Sequence, residues 1–212
     1  MQDLLRHLFL IILHSILMKN FLRFVVGVQF SNNDSLRKVK QFIYVSNHNS
    51  HLDTATLIAS LPPSLIADVH PVAAYDYFGR NQFTRFITWC FNAKFIYRTK
   101  EAGMPSSLDI MGNLIRSGKS IILFPEGTRG EPEKMEELKP GIGVLLTRNP
   151  HVPFIPAFLE GMGRALPKGD ALLVPYNCYI NIGLPVNVDG MEVNQILKLV
   201  KTKILELKRT KK

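Results

Sequence analysis

The chain has 212 residues, 46% of them hydrophobic, and carries 26 Lys and Arg against 17 Asp and Glu, a net charge of +9. This length suits one domain with a full core, and the two solitary, widely spaced cysteines, Cys90 and Cys178, exclude a disulfide framework and fit a reducing, cytoplasmic setting. The basic excess points towards polyanions; with no RNP-type signature and no Cys/His finger spacing, an anionic membrane surface is expected as partner and nucleic acid is not.

Residues 4–30 are the most apolar region. The charge-free stretch from His7 to Met18 falls short of the roughly 20 apolar residues a bilayer span needs, and Lys19 and Arg23 follow it. No small-x-small cleavage site follows, against a signal peptide. The expectation is one or two helices lying in one leaflet with their cations at the headgroups. A bent single span and an ordinary core helix are the alternatives. The chain then divides into residues 1–30, membrane-associating helices, and 31–212, the catalytic domain.

After a polar turn at Ser31–Ser35, Phe42-Ile43-Tyr44-Val45 reads as a strand and Thr54–Leu61 as a helix, ended by Pro62-Pro63. Between them lies Asn47-His48-Asn49-Ser50-His51-Leu52-Asp53, at a strand-to-helix junction where open α/β sheets place their chemistry. On one reading Ser50-x-x-Asp53 is only a capping box. On the other, His48 sits in the loop and Asp53, in the first helical turn, reaches back to fix its tautomer and make it a base. The two are compatible. Along a continuous helix the pair would stand roughly 140° apart, so the helix must begin near Ser50.

Residues 64–92 hold Tyr75, Tyr77, Phe78, Phe83, Phe86, Trp89 and Phe91 with Arg80 and Arg85, a stripe expected as core or as the wall of an acyl groove ahead of a base-stacking surface. Lys94–Arg98 reads as a strand and residues 105–117 as a helix stopped by Gly118. Gly118-Lys119-Ser120 imitates a phosphate loop, but the glycine spacing and the helix-then-strand order are wrong for one. Ser120–Phe124 is a buried strand delivering the turn Pro125-Glu126-Gly127-Thr128-Arg129-Gly130, where glycine admits a ligand to the backbone and arginine can fork onto a phosphate. An ordinary polar turn has the same composition. Residues 131–139 are expected to be solvated, Gly141–Arg148 helical, Val152–Phe158 a sheet-edge strand or pocket wall, and Cys178–Ile182 a strand. In the basic tail Ile196, Val200, Ile204 and Leu207 share one helical face, expected on the sheet ahead of a bilayer.

His48-x4-Asp53, Phe95-Ile96-Tyr97-Arg98, Phe124-Pro125-Glu126-Gly127-Thr128-Arg129 and Val152-Pro153-Phe154-Ile155-Pro156 resemble, in kind, order and spacing, the four blocks of the glycerolipid acyltransferase family, which includes the 1-acylglycerol-3-phosphate (lysophosphatidate) acyltransferases. The resemblance covers residues 40–160. The first and third blocks match fully; His51 departs from the pattern at a variable position. The resemblance implies an α/β fold with a mixed central sheet flanked by helices and an N-terminal membrane-associated helical appendage. It implies transfer of an acyl group from acyl-CoA or acyl carrier protein to the hydroxyl of a lysophospholipid, at the cytoplasmic face of a membrane, with no cofactor beyond the thioester. His48 is then the base and Asp53 its partner. Arg98, Glu126, Gly127, Thr128, Arg129 and Lys139 hold the acceptor, and backbone amides near the first block supply the oxyanion donors. The absence of a Gly-x-Ser-x-Gly or a motif cysteine agrees with direct transfer. A rival of another class is a metal-dependent hydrolase with His48, His51 and Asp53 as ligands, although no second ligand cluster follows. A lipid-binding protein without activity is a third reading, opposed by the intact His48/Asp53 and Glu126/Arg129 pairs.

Overall fold

The computed structural model describes residues 2–31, 33–79, 81–97, 105–167, 169–170 and 172–209, the side chains of Tyr77 and Phe78 excepted. Among these, seven strands form one mixed sheet in the order β1-β7-β6-β2-β5-β3-β4. They are β1 (Val28–Phe30), β2 (Ile43–Ser46), β3 (Val69–Ala74), β4 (Lys94–Ile96), β5 (Ser120–Leu123), β6 (Phe154–Glu160) and β7 (Cys178–Ile182). β2 runs parallel to both β5 and β6, and β3 parallel to β5 and β4; β7 is antiparallel to β6 and carries β1 parallel to itself. This is the expected mixed sheet flanked by helices.

Two apolar layers close the sheet. On one face α4 (Ser107–Arg116), α5 (Gly141–Arg148) and α6 (Val193–Leu205) bury Met111, Ile115, Leu145, Leu146, Ile196 and Val200 against Ile43, Ile121 and Phe154. α6 starts at a reciprocal capping box between Glu192 and Gln195. Its apolar face packs on the sheet and its lysines face water. α4 is capped by Ser106, which accepts from the Asp109 amide, and ends at Gly118 with φ +79° and a Lys119 N to Leu114 O bond, a Schellman closure.

On the other face lies α1, a continuous helix from Gln2 to Val26, long and apolar enough to cross a membrane. It is π-helical over Ile12–Met18 and Leu22–Val26. α1 packs along α2 (Asp53–Ser60), with Leu10, His14, Leu22 and Val26 buried. It ends at Gly27, whose φ of +92° and whose approach to Tyr176 O, 2.5 Å from where a Cβ would stand, admit only glycine. The boundary expected at residue 30 therefore moves. Val28–Phe30 is an edge strand of the catalytic sheet, and the helix before it belongs to the core on its inner side. α3 (Gln82–Cys90), capped by Asn81 accepting from the Thr84 amide, joins this face.

Two further expectations change. β6 is central, although Pro156 had suggested an edge. Its carbonyl accepts from Gly183 N at 2.8 Å, one rung beyond the last named residue of β7, so the proline sits at the end of that ladder and leaves only the reciprocal bond to Gly183 unmade. The aromatic stripe is not core at α3: Phe83, Phe86 and Trp89 are 71%, 58% and 47% exposed.

Candidate active site

β2 and β5 are neighbours in parallel register, Val45 beside Leu123, so the segments leaving them emerge together at one edge of the sheet. The first brings His48, the second Glu126. Asp53 opens α2 and is fully buried, while His48 keeps 19% of its side chain exposed. His48 Nδ1 lies 2.8 Å from Asp53 Oδ2. An ionised carboxylate only accepts, so Nδ1 carries the proton and the Nε2 lone pair is left for a substrate.

Oδ2 of Asp53 also accepts the amides of Asn49 (2.7 Å) and Ser50 (2.8 Å). The Ser50 bond is one half of a capping box, so the capping and catalytic readings describe the same carboxylate. The other half is missing: Ser50 Oγ accepts from the Leu52 amide and donates to Leu166 O. These bonds narrow the expectation for the oxyanion donors. The amides of Asn49 and Ser50 are taken by Asp53 and that of His48 by Glu126, so the amides of these three residues do not point into an open site.

Glu126 is 2% exposed. Its Oε1 accepts the His48 amide at 2.7 Å and its Oε2 the Glu136 amide at 2.8 Å. Burial raises its pKa above the ordinary carboxylate value, the two amides working against that rise. Gly130 N donates to His48 O at 2.9 Å, and the Phe124 ring stacks on the imidazole at 3.9 Å and 13°. The histidine is thereby gripped through its backbone, its Nδ1 and its ring face.

Gly127, with φ +75°, and Thr128 are exposed at the tip of the turn. Lys139 N donates to Pro125 O, and the Lys139 stem runs beside Gly127, 3.4 Å from where a Cβ would stand. Arg129 Nη1 donates to His51 Nε2. Burial, then the Arg129 charge, lowers the His51 pKa, so its neutral, accepting form is favoured. Arg98 and Arg80 lie outside the described residues. Among the described residues no three His, Cys, Asp or Glu side chains come together to share a metal ion, and His51 is turned onto a guanidinium, so the rival metal site finds no donor set. Burial pushes the Cys178 thiol up to about 12 and raises that of Cys90, so neither is poised as a thiolate.

Residues that sequence reasoning passed over hold the site. Asn47 mimics a strand residue, donating to Leu159 O and accepting from Leu159 N, both at 2.8 Å, and also bonds Asn49. Asn49 donates to Glu131 O and Lys134 O, tying the 131–139 loop to the first block. Their signal was two amide side chains directly after a fully buried strand, where each polar group needs a partner.

A family model described as Acyltransferase matches residues 27–160. The 1-acyl-sn-glycerol-3-phosphate acyltransferase of Limnanthes douglasii is 25% identical over 177 residues, 84% of this chain and 61% of its own. A probable 1-acyl-sn-glycerol-3-phosphate acyltransferase of Mycoplasma pneumoniae is 28% identical over 148 residues, 64% of this chain and 50% of its own. The chain thus spans about three fifths or less of these curated relatives. The crystal structure of the 1-acyl-sn-glycerophosphate (LPA) acyltransferase from Thermotoga maritima superposes with a TM-score of 0.71 over 100% of this chain and 98% of that one, at 19% identity, a likeness of fold.

Proposed function

The chain belongs to the acyltransferase family, and from that premise we propose that it moves a fatty acyl group from acyl-CoA or acyl carrier protein to the free hydroxyl of 1-acylglycerol-3-phosphate, giving phosphatidate. The observation that carries this reading is His48, oriented by buried Asp53 through Nδ1 and placed beside the Gly127–Arg129 turn. The names of the relatives support the acceptor, a hydroxyl-bearing lipid phosphate.

His48 Nε2 takes the proton of the acceptor hydroxyl as its oxygen attacks the thioester carbonyl. Asp53 stabilises the imidazolium. The tetrahedral centre collapses with cleavage of the C–S bond, and the imidazolium returns the proton to the departing thiolate. Ester and thiol are the products, and no residue is acylled or oxidised along the way. Arg129, Thr128, Gly127 and Lys139 hold the acceptor phosphate, with Arg98 as a further cation implied by the second block. Glu126 acts through His48 by holding its amide. No cofactor is needed beyond the thioester co-substrate.

The test is incubation of the detergent-solubilised protein with labelled oleoyl-CoA and a panel of lysolipids, beside His48→Ala and a parallel series with acyl carrier protein as donor. A diacyl product that forms only from lysophosphatidate and only with His48 present is expected. Transfer that persists in His48→Ala would refute the mechanism, and preference for another lysolipid would refute the acceptor.

A further inference from the structure

α3 crosses the same face as α1 with its aromatic side uncovered. Phe83, Phe86 and Trp89 recur every third residue, drifting about 60° per step around one side of the helix. All three are exposed, and Phe86 and Trp89 stack at 6.0 Å. This surface does not stop at α3. Phe9 of α1 packs on Trp89 with ring centroids 5.1 Å apart. Beyond Phe9, Leu5, Leu8, Ile12, Ile16 and Phe24 continue it along the outer side of α1. His14 Nε2 meets Cys90 O at 2.9 Å and fixes the two helices to each other. The apolar surface is therefore one piece made from two elements.

We propose that α3 is a second membrane-seated element, inserting Phe83, Phe86 and Trp89 with the outer face of α1 into one leaflet of an anionic phospholipid membrane. Three observations select lipid as the occupant. The patch continues the outward face of α1, among the described residues the one helix long and apolar enough to cross a bilayer. Its margin has the chemistry of a membrane interface: the Arg6 guanidinium lies 4.6 Å over the Trp89 ring and reaches Asn92 Oδ1 at 3.2 Å, a cation beside an amphipathic aromatic. Arg85 on α3, Lys19 and Arg23 on α1, and the net charge of +9 complement an anionic leaflet. A water-soluble partner would leave the rest of the outer face of α1 uncovered.

The arrangement also places chemistry and membrane sensibly. β3, which leads towards α3, runs parallel to β5 and so ends at the edge of the sheet that carries Glu126. A lipid acceptor in the leaflet under α3 is thus offered to the edge that holds His48. The inference rests on the lysolipid reading for the reason a membrane is needed, but its test does not require turnover.

Trp89 is the single tryptophan of the chain, so all indole emission comes from α3 at its seam with α1. The full chain is mixed, without acyl donor, with vesicles of phosphatidylcholine and phosphatidylglycerol carrying either ordinary or dibrominated acyl chains. A blue shift on ordinary vesicles and loss of most of the emission on brominated ones is expected. The Phe83→Glu/Phe86→Glu double variant, whose altered side chains are exposed and whose helicity is checked by circular dichroism, should keep only the weaker binding that α1 provides and lose the quenching. Vesicle sedimentation with unquenched Trp89 would overturn the proposal, because α1 alone would then be inserted. So would failure to bind vesicles, quenching retained in the double variant, or a blue shift that depends on protein concentration without lipid, which would make a second copy the occupant. Failure of the acyl-transfer reading shows separately, as missing phosphatidate with quenching intact.

Discussion

Within the site, Asn49, Ser50 and Glu126 are buried and bound to partners distant in the chain and Asp53 is buried among its own neighbours, whereas Gly127, Thr128 and Lys139 lie at the surface on the tip of a turn. The buried half has one geometry available to it. Asp53 Oδ2 alone receives a ring nitrogen and two amides. The exposed half keeps cations on long side chains that can follow a ligand. On the proposed reading the contrast teaches a division of labour: the part assigned to move a proton is preorganised, and the part assigned to grip the acceptor adapts. Losses in the first half should fall on kcat and losses in the second on the acceptor KM.

The strongest attempt to break this division is His48→Ala. General-base catalysis contributes about 10²–10⁴-fold, and kcat should fall by that much with the fold intact, since Asp53 keeps its two amide bonds. Single-turnover rates and circular dichroism check both parts. Glu126→Gln comes next. Each carboxylate oxygen accepts a different amide, so a glutamine NH2 must face one N–H with another donor. A bond to a charged acceptor is worth about 1.5–3 kcal/mol, and kcat should drop about ten- to a hundredfold with the acceptor KM little changed. A rise confined to the acceptor KM would instead make Glu126 a substrate contact.

Arg129→Ala tests the exposed half. The acceptor KM should rise about tenfold while the thioester KM holds, as expected for one lost charge-assisted contact to phosphate. Equal effects on both substrates would remove the arginine from phosphate recognition. The smallest effect concerns His51. Its folded pKa lies below the ordinary 6.5, so it stays neutral and accepts from Arg129 above that range; as pH falls through the depressed value it gains a proton and repels the guanidinium. The acceptor KM should therefore climb severalfold on acidification below 6.5. His51→Gln, which keeps an acceptor oxygen, should flatten that limb in a KM-against-pH profile.

The sequence disclosed the buried half in part and the rest unevenly. His48 and Asp53 were legible because a strand-to-helix junction is local and the five-residue spacing has one workable geometry. The role of Glu126 was not, because it depends on the His48 and Glu136 amides, brought near only by the β2–β5 pairing and the folded 131–139 loop. β3 was missed because His70 and Pro71 interrupt its apolar pattern, and Pro156 suggested an edge because the end of β7 beside it is a tertiary fact. Phe83, Phe86 and Trp89 read as core or as the wall of an acyl groove because an apolar stripe does not identify its neighbour. The second apolar face, on α6, was read correctly: Ile196, Val200 and Ile204 are buried against the sheet.

The pairing of β1 with β7 imposes an order on assembly. Val28 meets Cys178, so the strand that ties α1 to the sheet leaves the ribosome early and its partner near the end of the described chain. Through most of synthesis the inner face of α1, with Leu10, Leu22 and Val26, lacks its final neighbours, and the closing contact is among the most non-local in the molecule. For the experimenter the consequence is practical. Truncating the apolar segment to gain solubility removes core side chains as well as outward ones, and a cut past Phe30 bares the edge of β7 to pairing between molecules.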